Sequence, residues 1–392
     1  MPDTIGAGGD PRPRVALMTP RFLPYSQAFI AEQLAHYRRY DPEVLARARL
    51  NRDRFPDPRV FTLTPGGPRR HAEALLHRIT GYSPSIAARL RRRNHRLLHA
   101  QFGLAGVRAL PYQASLGVPL VVTFRGHDVA LVGGRPGWLP HPWLAARRAR
   151  LFERASLVLA VSADLARRLE ALGAPAAKLR VWRAGVRIPA PAPPRSAGPA
   201  GRPFSVVMAG RFVAKKGFDD GLEALARARA SGIRLSATLV GTGPREPALR
   251  RLARRLGLDE VMEWPGVLAH QDLLARLAAA DAVLVPSVTA ADGDREGVPN
   301  VLKEAAARGV PVVATRHGGI PEAVEDGRSA LLAAERNPDA LADAIVRLAS
   351  DPALARAIGE GGRARMIEAF EIGRQVARLE DWYDEVCEEA GR

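Results

Sequence analysis

Apolar residues in this chain come in short runs, each followed by a loop and then by a stretch with helical spacing. RVALMT (14–19) reads as a buried strand that Pro20 ends, and a helix is expected from about Ser26 to Tyr40. VVTF (121–124) and LVLAVS (157–162) are further strands, the second leading into the helix DLARRLEALG. After residue 203 the pattern restarts. FSVVMAG (204–210), LSATLVG (235–241), AVLVPS (282–287) and VPVVAT (310–315) each end in small or turn-forming residues and precede a helical stretch. Strands alternating with helices in this way imply parallel sheets covered on both faces. Between the two series lies PAPAPPRSAGPAGRP (189–203), from which no packed element can be built, so it reads as a linker. The fold class is therefore α/β, with two doubly wound Rossmann-like domains facing across a cleft, and ligands are expected beyond the carboxyl ends of the strands. A last helix, about 373–389, carries Val376, Leu379, Trp382, Tyr383 and Val386 at helical spacing and must bury that face somewhere.

Length and composition agree with two domains. At 392 residues the chain exceeds what one hydrophobic core usually serves. The single cysteine, Cys387, rules out an internal disulfide and fits a reduced, cytoplasmic setting. Residues 1–12 are rich in Gly and Pro without an apolar segment and read as a disordered tail, not a signal peptide. With no apolar run of about 18 residues, any membrane contact is expected to be peripheral, on the inner face. The net charge of +17 is unevenly spread: residues 1–195 hold 32 basic and 12 acidic residues, residues 196–392 hold 26 and 29. The densest run is Arg89, Arg91, Arg92, Arg93 and Arg96, flanked by His95 and His99. It reads either as attraction to an anionic membrane, lipid-linked acceptor or nucleic acid, or as a solvated helix face. Nucleic acid is not expected as a partner, because no recognition motif is present and an aromatic content of 6% leaves few stacking platforms.

Two loops carry the chemistry. In GRFVAKKGFDD (210–220), Arg211 and Lys216 can reach one point across a tight Gly-bounded loop, a forked donor and a point charge suited to a diphosphate. In EGVPNVLKEAAARG (296–309), Pro299 opens a helix whose first N–H groups, near Asn300, Val301 and Leu302, form an anion site supported by the helix dipole. Glu304, inside that helix, is placed to accept hydrogen bonds from sugar hydroxyls, and Glu296 could face a second sugar. Helix capping is the other reading of either glutamate. Asp292 and Asp294 have metal-like D-x-D spacing but are read as shaping the loop, and no metal is expected.

GRFVAKKG, GTGP (241–244), PG (265–266), PS (286–287), EGVPNVLKE and PVVATRHGGIPEAV (311–324) stand in the order and spacing of the family-four retaining glycosyltransferases, through most of 204–370. LPYSQAFIAEQL (23–34), HAQFG (99–103), PLVVTFRGHDVA (119–130), residues 161–186 and SVTAADGDREGVP (287–299) resemble the exopolysaccharide, colanic-acid-type branch. The resemblance implies the two-domain GT-B fold: residues 13–188 as the acceptor domain, 204–370 as the nucleotide-sugar domain, and 371–392 crossing back onto the first. It implies transfer of a hexosyl group, with retention and without metal, from a nucleotide-diphosphate sugar to a hydroxyl of a glycan, lipid-linked saccharide or small molecule. The donor is a co-substrate, a UDP-sugar being favoured over a GDP-sugar, and no other cofactor is implied. Arg211 and Lys216 would hold the diphosphate and stabilise the leaving group, Glu304 would bind the ribose, and Glu296 the transferred sugar. Gly241 and the backbone of Gly266, Val267 and Leu268 would line the nucleotide site.

Two positions depart from the family pattern. Many relatives have histidine where this chain has Arg125, and His127 sits two residues later in TFRGHD. Arg125 contacting donor sugar or an anionic acceptor, His127 replacing the histidine by a backbone shift, and a structural loop capped by Asp128 all remain open, with Arg125 in the cleft favoured. Arg183, in WRAGV, also replaces a more usual histidine. A nucleotide-sugar 2-epimerase on the same fold and a basic nucleic-acid-binding protein are the alternative functions.

Overall fold

The computed structural model describes residues 12–22, 28–51, 57, 59–64, 67–133, 146–190 and 202–391. The expected N-terminal tail and most of the expected linker lie outside them. Two parallel sheets organise the chain. The first has β1 (Arg14–Phe22), β2 (Asp41–Arg49), β3 (Val60–Thr64), β4 (His95–Ala100), β5 (Leu120–Phe124), β6 (Leu157–Ala160) and β7 (Leu179–Val181), in the order β3-β2-β1-β4-β5-β6-β7. The second has β8 (Phe204–Ala209), β9 (Leu235–Val240), β10 (Met262–Gly266), β11 (Ala282–Val285), β12 (Val312–Thr315) and β13 (Leu331–Ala333), in the order β10-β9-β8-β11-β12-β13. In both, the order reverses beside the first strand, and the loops leaving the reversal point form the rim of a cleft. This is the two-Rossmann α/β architecture expected.

The elements differ from expectation where polar residues are buried. β2, β3, β4 and β7 in the first sheet, and β10 and β13 in the second, add to the strands read from apolar runs. β4, sequence HRLLHA, carries two histidines inward: His95 Nε2 lies 2.9 Å from Glu43 Oε2 on β2, and His99 Nε2 lies 2.7 Å from Thr123 Oγ1 on β5. Such strands are stabilised by polar partners that a run of apolar letters does not show. β1 runs past Pro20 to Phe22 because its pairing with β4 ends at Met18↔Ala100, and a proline is tolerated where a strand is paired on one side only. The first helix is Ala28–Leu34, shorter than expected. The backbone N–H groups of Arg38, Arg39 and Tyr40 instead donate to Glu380 Oε1 at 2.8–3.0 Å.

That glutamate belongs to the last helix, Ile372–Ala390, which crosses back onto the first sheet. Val376, Leu379, Trp382, Tyr383 and Val386 are buried there with Tyr37, Tyr40 and Trp182. The Tyr383 hydroxyl shares hydrogen bonds with Tyr37 (3.0 Å) and His99 (2.5 Å), and Trp182 Nε1 donates to Gln375 O at 2.9 Å. The two strands of chain passing between the domains are themselves paired: Val186 N–H donates to Phe370 O, and Ile372 N–H to Val186 O.

Candidate active site

The cleft between the sheets holds two adjoining cavities, of about 820 and 970 Å³, that share Arg211, His270, Asn300, Lys303 and Glu304. The smaller faces the first domain. The larger runs along the second, past Gly241, Val267 and Leu268.

The first loop of the second domain folds tightly so that its cations converge. Gly217 has φ +62° and stands so close to Pro286 O that a Cβ would lie 1.8 Å from it, so only glycine lets Lys215 and Lys216 come against the loop after β11. Lys216 Nζ lies 3.3 Å from Glu296 Oε2, and Lys215 Nζ lies 3.5 Å from Glu296 Oε1 and 3.1 Å from Asp294 Oδ1. Burial alone would push the Glu296 carboxyl up, but the charges of Lys216 and Lys215 outweigh it and hold it down at about 2. The Glu296 N–H donates to His317 Nε2 at 3.0 Å, and His317 Nδ1 is 2.6 Å from Glu335 Oε1, which fixes the ring. Gly318, at φ +51°, sits under the Glu296 carbonyl, where a Cβ would be 2.3 Å away. Arg211 is exposed at the cavity wall.

Glu304 has the opposite electrostatics. It lies half-buried in the helix Asn300–Ala306, where burial raises its pKa, and His270 Nε2 lies 3.9 Å from its Oε1. A carboxylate left in this state is ready to accept hydrogen bonds from a ligand. The first backbone bond at that helix start is Lys303 N–H to Pro299 O at 3.4 Å, so the N–H groups of Asn300, Val301 and Leu302 precede it. Asn300 and Val301 line the cavity, whereas the Leu302 side chain is fully buried in the core and can contribute only its backbone. Gly266 also falls short of the lining: its carbonyl accepts from Gly241 N–H at 2.8 Å and so supports Gly241, which does line it.

On the first-domain side, both disputed loop residues reach the cavity. The Arg125 guanidinium donates to Gln101 Oε1 at 2.7 Å and lies 4.3 Å from the Phe29 ring centroid and 5.5 Å from that of Trp182. Burial lowers its pKa to about 10. His127 Nδ1 lies 3.0 Å from Asp294 Oδ2. Asp128 accepts from the N–H groups of Arg125, Gly126 and Gly103, so the loop is also capped as its structural reading required. Asp294 thus divides its two oxygens between Lys215 and His127, while Asp292 Oδ1 accepts the Asp294 N–H; this pair shapes the loop and ties it to the first domain. Arg183 does not line the cleft.

The densest arginine run also stays away from the cleft. Arg89 NH2 lies 2.6 Å from Glu43 and Arg93 Nε 3.8 Å from it.

Lys215 and Lys303 are site residues that the sequence reading did not single out. Lys303 is almost fully buried, lines both cavities, and donates through Nζ to Ala184 O of the first domain at 2.7 Å. A lone lysine in a helix carries no sequence signal of this; only its neighbours, glutamate on one side and a buried leucine on the other, place it inward.

Comparison with known proteins now defines the class. Residues 28–188 match the model of Glycosyltransferase Family 4, and residues 203–351 that of Glycosyl transferases group 1. The putative colanic acid biosynthesis glycosyltransferase WcaL of Salmonella typhimurium is 34% identical over 71% of this chain and 69% of its own. A GDP-mannose-dependent alpha-(1-6)-phosphatidylinositol monomannoside mannosyltransferase of Mycolicibacterium smegmatis is 32% identical over 76% of this chain and 79% of its own. The structure of Anabaena Alr3699/HepE in complex with UDP and glucose covers 95% of this chain and 100% of its own, with a TM-score of 0.76 at 22% identity. The protein belongs to the family-four, group-1 glycosyltransferases and has their GT-B fold.

The burial of Lys303 has a measurable consequence. Burial, then the nearby Arg125, lowers its pKa from 10.5 to about 7. Across that window the unfolded chain holds a proton that the folded protein has released, so stability rises with pH between the two values. Melting temperature should therefore climb from neutral pH towards pH 10 in the wild type, and Lys303→Met should flatten the climb. An equal slope in the variant would contradict the burial.

Proposed function

We propose that the enzyme transfers a hexosyl group, with retention, from a nucleoside-diphosphate sugar to a hydroxyl of a glycan, lipid-linked saccharide or small-molecule acceptor. The convergence of Arg211, Lys216, Glu296 and Glu304 on one cleft carries this reading. The difficult event is departure of the nucleoside diphosphate, and Arg211, Lys216 and the helix start at Asn300 are aimed at the charge that grows on it. These groups take the place of a divalent cation, which supports a metal-independent reaction. No other cofactor enters the reading. Glu304 accepts from the ribose hydroxyls. Glu296, kept ionised by its lysines, accepts from hydroxyls of the transferred sugar. Arg125 and His127 border the acceptor from the first domain. In the retaining course the donor phosphate takes the acceptor's proton on the same face of the sugar. Uridine as the base is supported by the UDP complexes of the structural neighbour; the mannosyltransferase relative makes GDP-sugars the competing reading. The relatives reported above are transferases, and none gives support to an epimerase.

Peripheral contact with the inner membrane face is supported by one helix. Among the described residues no helix is long and apolar enough to cross a membrane. In the helix Pro68–Thr80, however, Ala74 and His77 are buried while Leu75, Leu76 and Ile79 stand 57%, 44% and 65% exposed. Exposed Arg69, Arg70 and Arg78 accompany them. An outward apolar stripe edged by cations fits the interface of an anionic bilayer.

Two measurements follow. In a thermal-shift panel of UDP-, GDP- and dTDP-sugars, a UDP-sugar should stabilise the wild type most, and Glu304→Ala should weaken its binding roughly tenfold or more. A response unchanged by Glu304→Ala would sink the ribose assignment. Sedimentation with vesicles should show binding that needs anionic lipid and weakens with salt, and replacing Leu75, Leu76 and Ile79 by serine should reduce it roughly tenfold or more. Failure to bind at low salt would remove the membrane contact.

A further inference from the structure

The backbone of Glu296 is held by a chain of polar groups that stays outside the cleft. β11, β12 and β13 are neighbours in the second sheet, and the loops at their carboxyl ends supply the members of this chain. The Glu296 N–H donates to His317 Nε2 at 3.0 Å, and His317 Nδ1 meets Glu335 Oε1 at 2.6 Å. Glu335 Oε2 accepts the Thr289 N–H at 2.7 Å, and Thr289 Oγ1 adds a longer bond to Oε1 at 3.3 Å. Glu335 therefore ties the loop after β11 twice, at Thr289 directly and at Glu296 through the imidazole. Glu296 lines the smaller cavity, whereas Thr289, His317 and Glu335 line neither.

The direction of these bonds is fixed by chemistry. A backbone N–H can only donate, so His317 Nε2 is the unprotonated nitrogen and Nδ1 carries the proton given to Glu335. Burial works against ionisation of Glu335, but the bonds from Thr289 and His317 outweigh it and lower its pKa. His317 is fully buried. Burial lowers its pKa below the usual value, an effect that the bond and charge of Glu335 offset only in part; Arg295 lowers it further and Glu296 raises it. The ring is thus neutral at neutral pH. A protonated ring, or the other tautomer, would turn an N–H against the Glu296 N–H.

The peptide on the other side of Glu296 is held as well. Gly318 packs under its carbonyl, and Gly319 N–H donates to Gly297 O at 2.8 Å. Only the side-chain torsions of Glu296 are left to vary, and Lys215 and Lys216 settle those. Glu296 Oε1 accepts no hydrogen bond among the described residues, which leaves it open to a sugar hydroxyl. A displaced carboxylate loses such a contact, because positioned groups tolerate little error. We propose that His317 and Glu335 are positioning residues for sugar transfer, holding the Glu296 backbone so that its carboxylate meets the transferred sugar, and doing so only with the imidazole proton on Nδ1. The inference rests on the reading that Glu296 accepts from that sugar.

The test follows release of nucleoside diphosphate by the full chain from UDP-glucose and from GDP-mannose, with water as the acceptor. His317→Leu should lower the rate roughly tenfold or more while affinity for the nucleoside diphosphate stays within about threefold. His317→Gln, whose side-chain oxygen can take the place of Nε2, should recover most of the loss. Glu335→Gln, with one oxygen for two donors, should fall between them. In a Glu296→Gln background His317→Leu should cost little more, since both act through the same carboxylate. A wild-type rate in His317→Leu, no recovery in His317→Gln, or losses that multiply with Glu296→Gln would each overturn the inference. Should His317→Leu not fold, Glu335→Gln decides in its place, and a wild-type rate there has the same meaning. Histidine nitrogen NMR of the wild type at neutral pH needs no substrate: the resonances lost in His317→Gln should report a neutral ring protonated on Nδ1, and a charged ring or the other tautomer would overturn the inference. A Glu296→Gln variant as fast as the wild type would strike the sugar reading itself, whereas the tautomer would still be read.

Discussion

The cleft is organised by the requirement that a buried carboxylate, Glu296, stay charged. Two lysines make that possible, and a buried ion of this kind is strongly destabilising once its partners are removed. Lys215, Lys216, Asp294 and Glu296 together carry no net charge, so the loops after β8 and β11 can be pressed against each other. The loop after β11 then reaches the first domain, through Asp294 to His127 and Arg295 to Asp164. Lys216 already faces Glu296, whereas Arg211 stands exposed at the cavity wall.

The position of one domain against the other is set by the last helix and the segment it crosses. Glu380 gathers three N–H groups of the first domain, and Tyr383 links to Tyr37 and His99 inside its core. The crossing at Val186 and Ile372 lies close in sequence to Ala184, the acceptor of Lys303. Arg125 and Glu304, on opposite walls, are thereby held at a distance that depends on contacts far from the chemistry. Catalysis by positioned charge needs such rigidity, because its stabilisation falls off when donors miss the developing charge.

Much of the second domain was legible because its strands are apolar runs and its loops carry charged residues at fixed spacing. Arg211, Lys216, Glu296 and Glu304 come together in one cleft as those loops implied. The first domain was harder to read. β2 and β4 bury Glu43 against His95, and His99 meets Thr123 of β5, and such pairs look polar when the strands are read singly. The helix expected to reach Tyr40 ends early because Glu380, more than 300 residues away in sequence, takes its N–H groups. The arginines that reach the cleft are scattered singly through β1, β2 and two helices, while the conspicuous run at 89–96 is partly spent on Glu43. The Leu302 side chain is buried and Gly266 does not line the described cavities, since spacing along a helix or strand does not say which face meets the cleft.

The central assignment is that Lys216 and Arg211 carry the leaving group's charge while Lys215 only holds the loop. Single-turnover transfer from a UDP-sugar by Lys216→Met tests it most directly. A fall in rate of about a hundredfold or more is expected, with sugar transfer and donor hydrolysis falling together. A rate within about threefold of the wild type, with donor still bound, would contradict the assignment.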